Sequence, residues 1–250
     1  MATPVLRPLS TGEVLDVSFG LYRAMFVPFV IVSMVARIVP IVLGIYLAAS
    51  GGALEHLGLF LLQMVLSIVL SALGVAATNF IVSGAYLGHA VTANDALRRA
   101  SKLIVPLILL SLMTSLVIGV GFILLIVPGV ILLGGLLLGT PVLVLEQPIS
   151  PIGAMSRSWE LSRGFRGKAL LTLLIASLLL VLPTLVAGVL AGIAALFGAS
   201  SLVAVSVLGG VLQIFVYPFG YVAFTVLYYD LRVRKEGFDL ELLAAAPQPA

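Results

Sequence analysis

The chain alternates long apolar runs with short polar stretches, and the runs are longer than a soluble core requires. Residues 57–94, 103–145 and 169–229 contain no lysine, arginine, aspartate or glutamate. A membrane-crossing helix needs about 20 mostly apolar residues, so each interval holds two passes or one unusually long one. The pattern predicts an all-α integral membrane protein with six transmembrane helices, near 25–48, 57–88, 103–127, 130–145, 169–190 and 202–229. Pro128-Gly129 is expected to turn the second hairpin and residues 192–201 to close the third. The second and sixth runs exceed the bilayer and are expected to tilt or project. The fourth, with Thr140-Pro141 near its end, is short enough to be broken.

The polar stretches repeat one another. "LSTGEVLDVSFGL" from Leu9, "VTANDALRRASKL" from Val91 and "ISPIGAMSRSWEL" from Ile149 align without a gap. In each, an apolar residue precedes a hydroxyl (Ser10, Thr92, Ser150) suited to cap a helix by accepting a backbone N–H. Three positions on, Glu13 and Asp95 complete a capping-box-like start, whereas the third copy has Gly153 there and Pro151 at the first helical position. Apolar or small residues then share one face: Val14, Leu15, Ser18 and Phe19; Ala96, Leu97, Ala100 and Ser101; Ala154, Met155, Ser158 and Trp159. Such helices lie in a membrane interface. The expected architecture is one polytopic domain over 1–250, built from three units of interfacial helix plus transmembrane hairpin at about 9–90, 91–148 and 149–235, with a disordered tail from about 242.

Composition agrees with this pattern. Hydrophobic residues make up 62% of the chain and charged residues 9%, far from a soluble domain. The net charge of +3 does not point to nucleic acid, because twelve of the thirteen lysines and arginines fall on one side of this threading. That side is expected to be the cytoplasm of a bacterial inner membrane, with both termini inside. The first apolar run is too long for a cleavable signal and is expected to be retained. Without cysteine there is no disulfide framework.

"RPLSTGEVLDVSFGLYR", "LLIVPG" followed by "PVLVLE", "AMSRSWELSRG" and "LYYDLRVRKEGFDLE" together resemble the bacterial membrane-domain family found at the N-terminus of some glycerophosphodiester phosphodiesterases. The resemblance covers nearly the whole chain and implies a membrane fold. It does not imply the phosphodiesterase reaction, whose residues have no counterpart here.

Few residues could carry chemistry. His56 and His89 sit at opposite ends of the second run, about 50 Å apart at about 1.5 Å per helical residue, and cannot share a metal. No H-E-x-x-H, G-x-S-x-G or G-x-x-x-x-G-K-[ST] motif occurs. No catalytic residue, metal site or cofactor is assigned. Arg37 breaks the hydrocarbon rule, and placing it near a helix centre costs about 2.5–3.5 kcal/mol, so it is expected either to bind an anionic solute or lipid, or to snorkel to an interface or bond backbone carbonyls. Ser67, Ser71, Thr114 and Gln213 lie at similar depth by residue count. Arg98, Arg99, Lys102, Arg157, Trp159 and Arg163 are expected to meet lipid headgroups at the interface. Phe165, Tyr228 and Tyr229 are expected to join Trp159 in an aromatic belt there. The expected partners are anionic membrane lipids, together with a membrane-protein partner or a second copy of the chain. Two function classes follow: a scaffold or accessory module at the cytoplasmic leaflet, or a small transporter or lipid-handling protein centred on Arg37.

Overall fold

The structure is a computed structural model that describes residues 7–51, 54–196 and 201–245. Every regular element among the described residues is an α-helix: α1 (Thr11–Ala24), α2 (Phe26–Ala49), α3 (Leu57–Tyr86), α4 (Ala93–Ser101), α5 (Ile104–Leu124), α6 (Ile126–Leu136), α7 (Gly139–Leu145), α8 (Pro151–Ser162), α9 (Arg166–Leu196), α10 (Ser201–Glu236) and α11 (Phe238–Ala245). Five stretches are long and apolar enough to cross a membrane, namely α2, α3, α5, α6 with α7, and the Ser206–Glu236 part of α10. The chain is therefore a multi-pass, all-α membrane protein. α9 is another 31 residues, about 46 Å of helix.

The three polar stretches form the helices their caps predict. Ser10 Oγ accepts the Glu13 N–H at 3.3 Å while Glu13 Oε2 accepts the Ser10 N–H at 2.7 Å, a complete capping box. Thr92 accepts the Asp95 N–H at 3.1 Å, and Ser150 the Gly153 N–H at 3.1 Å with Pro151 in the first turn. The aligned positions Val14, Ala96 and Ala154, and four residues on Ser18, Ala100 and Ser158, are all fully buried.

Two connections and the tail differ from expectation. The second hairpin turns at Leu125, a single extended residue (φ −163°, ψ 154°), and not at Pro128-Gly129. Pro128 falls in the first turn of α6, where a missing N–H costs nothing. Leu125 donates to Gly121 O and accepts from Gly129 N, so its own peptide groups are satisfied without water. At the third hairpin α9 continues through the expected loop to Leu196, and residues 197–200 lie outside the described residues. The tail expected to be disordered from 242 is helical to Ala245, and residues 246–250 are outside the described set.

The fourth run is broken. It starts at Ile126 and is interrupted at Leu137 and Leu138 before α7. Pro141 cannot donate to the Leu137 carbonyl, which removes the hydrogen bond that would carry the helix through. α8 stabilises the break, because Ser158 and Ser162 donate to Gly135 O at 2.9 and 3.1 Å, one of the last carbonyls of α6. Gly135 must be glycine, since a Cβ there would lie 2.3 Å from the Trp159 ring.

Packing is uneven along the bundle. The buried core draws on the C-terminal halves of α3 and α10, the start of α5, α7 and the inner faces of α1, α4 and α8. At the opposite end the helices present apolar side chains outward, such as Val42, Leu61, Ile123, Leu185 and Val211. Membrane lipid satisfies such a surface, so packing there need not bury it.

Candidate functional site

The charges gather at the packed end through two networks. The Asp230 side chain, fully buried on the last turns of α10, accepts the Leu9 N–H at 2.6 Å and Arg234 Nε at 3.1 Å and pairs with Lys168 at the start of α9. Lys168 and Arg234 also donate to Leu9 O. The peptide flanks of Leu9, just ahead of the α1 cap, are thus held on both sides by residues from α9 and α10. In the second network, Arg157 on α8 donates to Glu146 Oε2 at 2.9 Å and pairs with Glu236, which also takes Arg232 at 2.9 Å. Tyr228 donates to Glu146 Oε1 at 2.9 Å. Desolvation acts to lower the Arg157 pKa, but the hydrogen bonds to Glu146 and Glu236 outweigh it and raise the value.

Several residues expected at the lipid interface are turned inward by these contacts. Arg157 is consumed by two carboxylates. Trp159 packs on Gly135 and carries the Arg166 guanidinium 3.6 Å from its ring centroid. Tyr228 and Tyr229 are buried, and Tyr229 stacks on Tyr86 with centroids 4.7 Å apart, so they form core and not an aromatic belt. Arg163 is exposed. Sequence reasoning passed over Asp230, Glu146 and Glu236; the available signal was a lone carboxylate between Tyr229 and Leu231 in an otherwise apolar run.

Arg37 is held within α2, α3 and α10. Its Nη1 donates to Gln213 Oε1 at 3.2 Å and its guanidinium lies 3.2 Å from the Tyr217 ring centroid. No carboxylate among the described residues pairs with it. Nε is buried without a partner. Of the residues expected to join it, Gln213 bonds to it and Ser71 lines the adjoining cavity. Ser67 does not line that cavity, and Thr114 belongs to α5, which packs against α3, α6, α7 and α8. The cavity measures about 10 Å³, room for about one water and not for a solute.

A larger opening lies at the packed end. A cleft of about 410 Å³ separates the end of α3, α4 and the α7–α8 link. Arg99, Lys102 and His89 line it together with Ser83 and Gln147, and Phe80, Leu103 and Val144 contribute apolar wall. The turn into it is built on Gly88, at φ 78°, and on the His89 N–H bonding back to Gly84 O at 3.0 Å, the left-handed stop that fixes His89 at the rim. α4 lies close against α3 because its buried face is only Ala93, Ala96 and Ala100. Among the described residues no group of three potential metal-ligating side chains occurs. Comparison of the chain with protein-family models, curated proteins and solved structures returns no match.

Proposed function

We propose that this chain is a non-catalytic protein of the bacterial inner membrane, a scaffold or accessory module that organises anionic lipid or a protein partner at the cytoplasmic leaflet. It crosses six times in three units of interfacial helix plus hairpin, with both termini inside. One observation carries this reading: three capped amphipathic helices bury the same two aligned positions at the end of the bundle that holds the charge networks. α9 supplies the sixth crossing, because Lys168 at its start pairs with Asp230 near the end of α10, so the two helices run antiparallel. A positively charged end fits the cytoplasmic face.

The resemblance to the membrane-domain family of glycerophosphodiester phosphodiesterases belongs to the same proposal. Its support is that the shared motifs coincide with structural joints: "LLIVPG" forms the α5–α6 corner and "LYYDLRVRKEGFDLE" carries Asp230 and Glu236.

The test is purification in lipid nanodiscs with mass spectrometry of all copurifying protein and lipid. A stoichiometric protein partner or enriched anionic lipid supports the reading. A single metabolite lost in Arg37→Ala overturns it in favour of a transporter. Orientation is tested by single cysteines: Ser50→Cys is expected to react with an impermeant reagent from outside and Ser101→Cys to stay protected, and the reverse pattern inverts the topology.

A further inference from the structure

Six of the thirteen lysines and arginines are engaged by carboxylates or by Trp159. Arg7, Arg157, Lys168, Arg232 and Arg234 pair with carboxylates, and Arg166 lies on Trp159. Arg99 and Lys102 are different. Arg99 on α4 and Lys102 at its C-cap, three residues apart, have no carboxylate partner among the described residues and line the 410 Å³ cleft. No aspartate or glutamate lines that cleft. Ser83 Oγ accepts the Tyr229 hydroxyl at 2.8 Å and so keeps its own proton to donate. A guanidinium, an ammonium and a hydroxyl thus border one concavity whose volume lies within the roughly 300–1,000 Å³ of ligand sites.

We propose that this cleft binds a phosphate anion or phosphate ester, held by Arg99 and Lys102 with Ser83 as a third donor. The chemistry fits because phosphate offers several acceptor oxygens and needs donors, which the cleft provides without an opposing carboxylate. Phe80, Leu103 and Val144 beside the cations suit the apolar portion of an ester. The inference rests on the membrane reading above and deepens it by naming the ligand class. A phospholipid headgroup and free phosphate share this chemistry, and the experiment separates them.

The full chain is placed in phosphatidylcholine nanodiscs with a minor fraction of phosphatidylglycerol, and lipid retained after mild detergent release is identified by mass spectrometry. In parallel, discs of phosphatidylcholine alone are titrated with inorganic phosphate and followed by phosphorus NMR line broadening. Arg23→Gln is the charge-matched control, since Arg23 lies at the end of α1 and does not line the cleft. Arg99→Gln and Lys102→Gln are each expected to weaken retention or broadening about tenfold, and Arg23→Gln to leave it near wild type. The substitutions leave the buried alanine face of α4 untouched, and circular dichroism verifies that each variant is folded. Phosphatidylglycerol retention supports the site with a lipid occupant, and broadening without retention supports it with a soluble one. Equal loss in all three variants overturns the site as general surface attraction, while lipid enrichment by the wild type still leaves the broader reading standing. A folded wild type that binds neither probe also overturns the site.

Discussion

Asp230→Asn tests what holds the chain's start to its end. The substitution keeps shape and removes the charge from a side chain that has no exposed surface. Lys168 and Arg234, with 13% and 25% of their side chains exposed, then lose their carboxylate, and the new amide N–H₂ faces donors. Removing one partner of a buried pair costs about 3–5 kcal/mol. Both cations keep Leu9 O as an acceptor and some access to water, which places this case at the lower end, about 3 kcal/mol. That is roughly a hundredfold in an equilibrium constant. Because the contacts converge on Leu9, the loss should fall on the docking of α1 and not on the α5–α6 corner. Hydrogen exchange in nanodiscs should show α1 amides opening about a hundredfold more often, with α5 unchanged. Adding Lys168→Met should recover part of the loss by removing the orphaned cation. Protection of α1 within about threefold of wild type would refute the reasoning.

Gly135→Ala forces a methyl into the Trp159 ring and should cost about 1–3 kcal/mol in thermal unfolding, with Trp159→Phe relieving part of it. Glu13 is held at a pKa of about 2 by the Ser10 N–H and then by Arg7. This carboxylate is depressed on folding, so its contribution is complete above the ordinary value of 4.5 and is lost as pH falls toward about 2. Carboxyl NMR should place the Glu13 midpoint near 2 and show it rising in Arg7→Gln, and a midpoint above 4 would contradict the capping geometry. The second corner exposes Leu124, Leu125, Ile126 and Val127 at 67–73% with no polar side chain among them. Leu125→Cys should therefore react with an impermeant maleimide more slowly than Ser50→Cys, because an all-apolar corner favours hydrocarbon over water.

Much of the architecture is local in origin and was legible in the chain. Apolar length sets the crossing helices through contiguous runs of about 20 residues, and hydroxyl caps at Ser10, Thr92 and Ser150 set the starts of α1, α4 and α8 through neighbours within about one helical turn. The Leu125 corner was misplaced because proline signals a turn equally well from the residue before it or from inside the first turn of the next helix. Arg37 was recognisable as an anomaly, and Gln213 as a neighbour by depth, but depth does not specify azimuth. That is why Thr114, at similar depth, belongs to a helix packed elsewhere.

The fate of the charges on the interfacial helices α4 and α8 was decided by tertiary structure. Arg157 and Arg99 read alike as basic residues on interfacial helices, yet Glu146 just past α7 and Glu236 on α10 neutralise the first, and among the described residues no carboxylate reaches the second. Asp230 meets Leu9 across 221 positions, a separation at which no sequence pattern encodes partnership. Amphipathic spacing determines which face of a helix is polar. Which polar groups remain free to meet a ligand depends on what the rest of the fold brings against that face.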